Sequence, residues 1–350
     1  MRPTAAPDPR GPDPASETFE RFHDGFWEAA GEEPLERCFR VGAVGIRLRF
    51  AGEALVPLYW PAFAPFEAPL DGEDPLEVLI WDSASTGVPA PVLDWRIEDP
   101  GLDHVARYDG SEVVALQDWG RPALTLARPA DGVAIQHLPA PASVNWLDRA
   151  SALRFALFAL LRPRGLFLIH AAAVGRGGRA ALLAGPSGAG KSTLSVACLL
   201  AGMEWAGDDY VALEINGRPR VHAHHATAKM DAAGVERVGA GDLVAGGGEP
   251  PDFKLVLDAA RAAAIAPTLD VGAILVPRRH SGAAALGPAS AAQAYAALAP
   301  TTMFQPSSRD RETAAALAAL VQRVPARSLL LGGDPEENVR AVAEALDGLG

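Results

Sequence analysis

The sequence predicts an α/β fold for its second half, preceded by a separate N-terminal region that is β-rich or α+β. Three observations carry this. Ala181 to Thr193 (ALLAGPSGAGKST) is a short apolar run that stops at a glycine-rich loop and restarts as a helix. Earlier, Ile46, Leu48 and Phe50 alternate with Arg47 and Arg49, and Leu124 and Leu126 alternate likewise, which is the period of a half-buried strand. Downstream of the loop, short apolar runs, turn residues and helical stretches follow one another.

The chain of 350 residues is 49% hydrophobic and 21% charged, the composition of a soluble globular protein with two domains or one large one. A net charge of -12 argues against a nucleic-acid partner, whose phosphates need a basic face. Cys38 and Cys198 lie far apart with no CxxC, so neither a disulfide framework nor a structural zinc site is expected. The most apolar region, Ala152 to Val174, is interrupted by Arg154, Arg162, Pro163 and Arg164, so no membrane span is expected. Met1 to Ser16 holds five prolines and no apolar stretch and reads as a disordered tail without a secretory signal; the expected location is the cytoplasm.

Taken in order, Glu17 to Ala30 places Phe19, Phe22, Phe26 and Ala30 at helical spacing, with Ser16 as N-cap. The first domain, residues 17–148, carries five of the seven tryptophans after its first helix (Trp60, Trp81, Trp95, Trp119 and Trp146), which read as core filling in a small domain. Ala150 to Leu161 is Ala/Leu-rich and ends at Pro163, a helix at the entry to a second domain over 149–350. Leu166 to Val174 (LFLIHAAAV) and Ala180 to Ala184 read as two buried strands joined at Gly177-Gly178, a register that puts His170 opposite Gly185. Ser192 to Ala201 continues as a helix that Gly202 terminates, and Met203 to Gly207 returns as the next parallel strand. Asp208 and Asp209 therefore emerge beside the loop, at its mouth and outside the core. Beyond them come Val211 to Ile215, a turn at Asn216-Gly217, His222 to Met230, a flexible Gly-rich loop from Gly239 to Pro251, strands at Phe253 to Leu257, Ala273 to Val276 and Leu329 to Leu331, and a helix from Glu336 to Leu346.

The residues that carry chemistry cluster at the loop. Gly185 to Ser192 matches G-x-x-x-x-G-K-[ST] at every fixed position, a spacing that lets backbone N–H groups wrap a triphosphate because the glycines tolerate unusual dihedrals and add no side chain. Gly185, Pro186, Ser187, Gly188, Ala189, Gly190, Lys191, Ser192 and Thr193 are the candidate nucleotide contacts, with Lys191 reaching the β- and γ-phosphates and the Ser192 hydroxyl a magnesium ligand. Adjacent carboxylates at a strand end suit phosphoryl transfer, one binding Mg²⁺ and the other accepting the proton of a hydroxyl; Asp208 and Asp209 fill these roles, with Asp208 taken as the metal ligand. Lys254, Arg278 and Arg279 lie at strands or strand ends within reach of phosphate. His222, His224 and His225 have no carboxylate or cysteine at ligand spacing, which argues against zinc.

With the loop, the strand bearing His170 and GDD at Gly207 to Asp209 in place, the second half resembles the HPr kinase/phosphorylase family, and more closely its HPr-kinase-related proteins. The stretch from Ala299 to Leu346 (LAPTTMFQ, a helix, then VPARSLLLGGDPEENVRAVAEAL) is similar to the C-terminal part of those proteins. The resemblance covers about residues 165–346 and implies a P-loop kinase core related to phosphoenolpyruvate carboxykinase, use of ATP and Mg²⁺, and phosphorylation of a serine on a small protein or peptide. It makes Lys191 the phosphate binder, Ser192 a magnesium ligand and Asp208 and Asp209 the metal and base pair, places His170 near the transferred group, and implies assembly into a homo-oligomer. No counterpart of the family's LE-x-RG-type signature occurs, so HPr as acceptor and the reverse phosphorylase reaction are not implied. A small-molecule kinase and a nucleotide-binding ATPase or adaptor are the other readings of these residues; a transporter ATPase would need an LSGGQ-like signature that is absent.

Overall fold

In a computed structural model, the structure describes residues 14–70, 72, 74–93, 104–107, 112–118, 122–247, 254–303 and 311–348. The chain is a mixed α/β protein built on several sheets.

Helix α1 (Pro14–Ala30) begins two residues before the expected cap, so Pro14 to Ser16 belong to the helix and not to the tail; residues 1–13 lie outside the described residues. Its Phe19, Phe22 and Phe26 pack against one face of the first sheet, with Trp81 and Leu126. That sheet is formed by β1 (Leu35–Val41), β2 (Val44–Phe50), β3 (Leu76–Asp82), β4 (His104–Arg107), β5 (Val114–Asp118), β6 (Leu124–Arg128) and β7 (Val133–Leu138), in the order β1-β2-β3-β7-β6-β5-β4. Short helices α2 (Val56–Tyr59) and α3 (Ser83–Thr86) lie in its connections. Of the tryptophans, Trp81 is fully buried and Trp60 and Trp146 are half-buried, while Trp95 and Trp119 lie outside the described residues.

The single helix expected over Ala150 to Leu161 is two: α4 (Trp146–Ala150) and α5 (Arg154–Leu161). Leu153 takes φ 52 between them, a conformation that no continuous helix contains. The expected strand from Leu166 to Val174 is also split, into β8 (Leu166–Ile169) and β9 (Ala172–Arg176), because β8 pairs not with the hairpin but with a later strand. β9 and β10 (Arg179–Leu183) do form the expected hairpin, with φ 59 and 78 at Gly177 and Gly178 and a register from Arg176↔Arg179 to Ala172↔Leu183.

After α6 (Lys191–Leu200), β11 (Glu204–Gly207) returns antiparallel to β9 at the sheet edge, not as the parallel neighbour of β10. Because both β10 and β11 run against β9, they still point the same way, and the turn after β11 opens on the loop's side. The remaining strands are β12 (Val211–Glu214), β13 (Arg220–His222), β14 (Thr227–Asp231), β15 (Val244–Gly247), β16 (Lys254–Asp258), β17 (Thr268–Arg279), β18 (Ala285–Pro288) and β19 (Ala326–Leu331). They alternate with α7 (Ala232–Val238), α8 (Ala291–Met303), α9 (Arg311–Arg323) and α10 (Pro335–Asp347). Gly239 to Gly247, expected as loop, instead caps α7 and forms β15, and 248–253 lie outside the described residues.

The second sheet has the order β11-β9-β10-β17-β13-β12-β8, and the long β17 carries β13 and β19 on successive parts of one edge. β14, β16 and β15 make a separate small sheet. β10 shows why its sequence is apolar throughout: Ala181 and Leu183 face the α6 and α10 side, while Ala180, Leu182 and Ala184 face the opposite core. That second core runs without a break from β1 to β3 through α5 into β8, β12, β17, α8 and α9. Among the described residues, no helix is long and apolar enough to cross a membrane.

Candidate functional site

β10, β17 and β19 are parallel, and their C-terminal ends open on one side of the sheet, where ligands of α/β proteins bind. β10 delivers the loop there. Gly188 and Gly190 take φ 80 and 99, and α6 starts at Lys191 with Gly190 in the N-cap position. The Lys191 ammonium donates to the carbonyl oxygens of Gly185 at 2.7 Å and Pro186 at 3.2 Å. Burial lowers its pKa, against the opposing pull of Asp208 and Asp209.

β11 delivers the two aspartates. Gly207 has φ 148 and Asp209 φ 67, and the Tyr210 N–H donates to the Asp208 carbonyl at 2.8 Å, closing a γ-turn around Asp209. Both carboxylates are buried, contrary to the expectation that they stand outside the core, because the core of the second sheet closes over the turn. The turn sends them to different surroundings. Asp208 is fully buried and, among the described residues, neither of its oxygens has a hydrogen-bond partner. Burial and then the charge of Asp209 push its pKa up, against weaker pulls from Ser192, Lys229 and Lys191. Asp209 lines a cavity of about 270 Å³ together with Lys191, Ser192, Thr193 and His170. Its Oδ2 accepts from Lys229 Nζ at 2.6 Å and from the Ser151 hydroxyl at 3.0 Å, and its Oδ1 lies 3.3 Å from His170 Nε2. Burial would raise its pKa, but Lys229 and the His170 hydrogen bond outweigh that and hold it well below the usual carboxylate range.

His170 sits at the break between β8 and β9. Its backbone N–H donates to the buried Thr302 hydroxyl at 3.0 Å, its ring meets Tyr210 edge-on at 5.4 Å, and its Nδ1 is buried without a partner. The β9-β10 ladder ends two residues short of the level at which His170 faces Gly185. Lys254 and Arg279 reach the same cavity, whereas Arg278 lines a different one. His222 bonds Glu214 and Thr268 away from the loop, and His224 and His225 are buried, with ring centroids 4.3 Å apart.

Lys229, Ser151 and Thr302 escape a reading of the sequence. The signal for Lys229 is a lone lysine within the apolar strand ATAKM, where a solvated cation has no reason to be. Ser151 has none, since it reads as part of a continuous helix.

A comparison with protein-family models finds no match, and neither does one with curated proteins. Among solved structures, the chain is similar to the Hpr(Ser) kinase/phosphatase from Coxiella burnetii at 15% identity and a TM-score of 0.24, over 33% of this chain and 59% of that one. The chain thus spans less than two thirds of that protein, and a likeness this small bears on neither fold nor activity.

Proposed function

We propose that this chain transfers the γ-phosphoryl group of ATP, with Mg²⁺, to a hydroxyl, namely a serine of a small protein or peptide. What supports this most is the meeting of segments distant in sequence at one cavity, lined by the loop with Lys191 and by Asp209, which Lys229, His170 and Ser151 hold, with the buried carboxylate of Asp208 directly behind it. In this reading residues 149–350 are a P-loop kinase core of the HPr-kinase-related kind, as the sequence resemblance implies.

Lys191 exchanges the carbonyls of Gly185 and Pro186 for phosphate oxygens, and the N–H groups of the loop and of the first turn of α6 hold the rest of the triphosphate. The fit to magnesium rests on Asp208: a buried carboxylate without a partner is costly unless a cation completes it, and with the Ser192 hydroxyl it makes the hard oxygen set that Mg²⁺ takes. When bound there, the ion neutralises charge on the phosphates. Asp209, the aspartate that faces the cavity, accepts the hydrogen bond of the attacking hydroxyl and aims it. Its depressed pKa suits orienting that hydroxyl through a loose transition state in which positioning dominates, the bond to ADP breaking as the bond to the hydroxyl oxygen forms and the hydroxyl proton passing late to the phosphoryl oxygens. Lys229 and His170 keep that carboxylate in place.

The test incubates purified protein with labelled ATP, Mg²⁺ and a host lysate fractionated by size. Alkali-labile label in the protein or peptide fraction is the expected result. Label confined to metabolites overturns the acceptor in favour of a small molecule, and free phosphate alone overturns the kinase in favour of an ATPase.

A further inference from the structure

Two further cavities touch the loop. One, of about 300 Å³, lies beside the first turns of α6 against the connection from β19 to α10. The other, of about 640 Å³, lies against the outer side of the loop and α8. Among the described residues, these two adjoin the loop and offer places for the nucleoside of a nucleotide whose terminal phosphate sits by Lys191 and Asp209.

We infer that the nucleoside of the donor docks in the cavity between α6 and the Gly332-Gly333 connection, an inference that rests on the phosphoryl-transfer reading above. Continuity is the first argument. Gly190, Thr193 and Arg279 line both this cavity and the one holding Asp209, so a phosphate chain passing Lys191 leaves directly into it around the first turn of α6. The larger cavity also shares three residues with the one holding Asp209, Ser187, Gly188 and Arg279, but it meets the loop at Pro186 to Ala189, ahead of the lysine and not at the first turn of α6.

Chemistry is the second. Leu194, Ala197 and Leu331 give an apolar floor, and Arg237 at the rim has no ion-pair partner among the described residues, free to stack its planar guanidinium on a base. The larger cavity mixes proline and alanine with Arg278, Arg279, Gln293 and Ser328, so it offers guanidinium groups too, and what separates the two is where each meets the loop.

The third argument is Gly333. Its φ is ordinary, and a Cβ built on it meets nothing within 4 Å, so neither conformation nor packing within the chain calls for a glycine there. Gly332, by contrast, is a packing glycine whose Cβ would lie 2.9 Å from the Gly282 carbonyl oxygen. The connection is also held in advance: Asn338 accepts from the Gly332 N–H at 2.8 Å and donates to its carbonyl at 3.1 Å. A wall fixed in this way, with open space at Gly333, leaves room for a ligand beside it.

The experiment measures binding of Mg-ATP and of Mg-tripolyphosphate, which lacks the nucleoside, to the wild type and to Gly333→Leu, Arg237→Ala and Ala296→Phe. Ala296 is exposed and lines the larger cavity. The expected result is that Gly333→Leu and Arg237→Ala each weaken ATP by about tenfold, a loss of one stacked or buried contact, and leave tripolyphosphate within about twofold, while Ala296→Phe changes neither. ATP binding unaffected by Gly333→Leu, or weakened selectively by Ala296→Phe, overturns the placement while leaving phosphoryl transfer intact. A wild type that binds tripolyphosphate as tightly as ATP also overturns it. A wild type that binds neither ligand overturns both readings.

Discussion

At the scale of single residues, Asp208 and Asp209 share a turn but differ in what surrounds them, and opposite mutational effects follow. Asp208 has no hydrogen-bond partner among the described residues and is only partly offset by the charges of Lys229 and Lys191, so Asp208→Asn removes a poorly compensated buried charge and should leave stability in the absence of magnesium unchanged or raise it by ~1 to 3 kcal/mol. Asp209→Asn strips Lys229 of its counter-charge in a site where the two side chains are only 9% and 14% exposed, and should cost ~3 to 5 kcal/mol. Urea unfolding of both variants checks the contrast, and an equal loss in the two would refute it. Adding Lys229→Met to Asp209→Asn should recover part of the loss, because a cation without a partner is then no longer buried. In the proposed function, Lys191→Ala removes the cation that would leave the loop carbonyls for phosphate; calorimetry should show Mg-ATP affinity lower by about 10- to 100-fold, the worth of charge-assisted hydrogen bonds.

At the scale of elements, the site depends on three places where regular structure is interrupted. The break between α4 and α5 frees Ser151 for Asp209, the break between β8 and β9 frees His170, and the γ-turn after β11 parts the two aspartates. The loop itself is the fourth interruption and the easiest to probe. Gly188→Ala meets open space and only a positive φ, so it should cost ~1 kcal/mol. Gly190→Ala meets φ 99 and the Leu331 Cδ1 at 2.6 Å as well, and should cost more, ~2 to 3 kcal/mol, while displacing the start of α6. Thermal unfolding of the pair distinguishes strain from packing, since equal shifts would mean that the contact with β19 carries nothing.

At the scale of the whole molecule, buried neutral histidines set the acid limit of stability. Burial holds His137 and His225 down at about 4 and His224 well below its usual value, against weaker upward pulls from Asp82 and Asp209. A histidine whose folded pKa lies below its unfolded value near 6.5 contributes no penalty above that pH; the unfolded chain takes up its proton first as pH falls, and stability drops between pH 6.5 and about 4. For His137 alone the loss at pH 5 is ~2 kcal/mol by this linkage. Asp208, with its raised pKa, works in the opposite direction. His137→Gln, which can keep the bond to the Ser83 hydroxyl, should therefore flatten the fall in urea midpoint between pH 7.5 and pH 5. An unchanged slope would mean that His137 is charged in the folded state.

The loop, its strand and its helix were legible in the sequence because every requirement there is local: an apolar run buried on both faces, glycines at positive φ, and a lysine and serine at fixed spacing. The hairpin register followed from Gly177-Gly178 for the same reason. The pairing partner of β8, the antiparallel placement of β11 and the passage of one core across residue 148 depended on contacts between distant segments, to which periodicity is blind. So did the surroundings of the aspartates. GDD announces two carboxylates, but only the tertiary structure brings Lys229 from β14 and Ser151 from the α4-α5 break to them, and Thr302 from α8 to His170, because a buried charge is decided by what the whole fold packs against it.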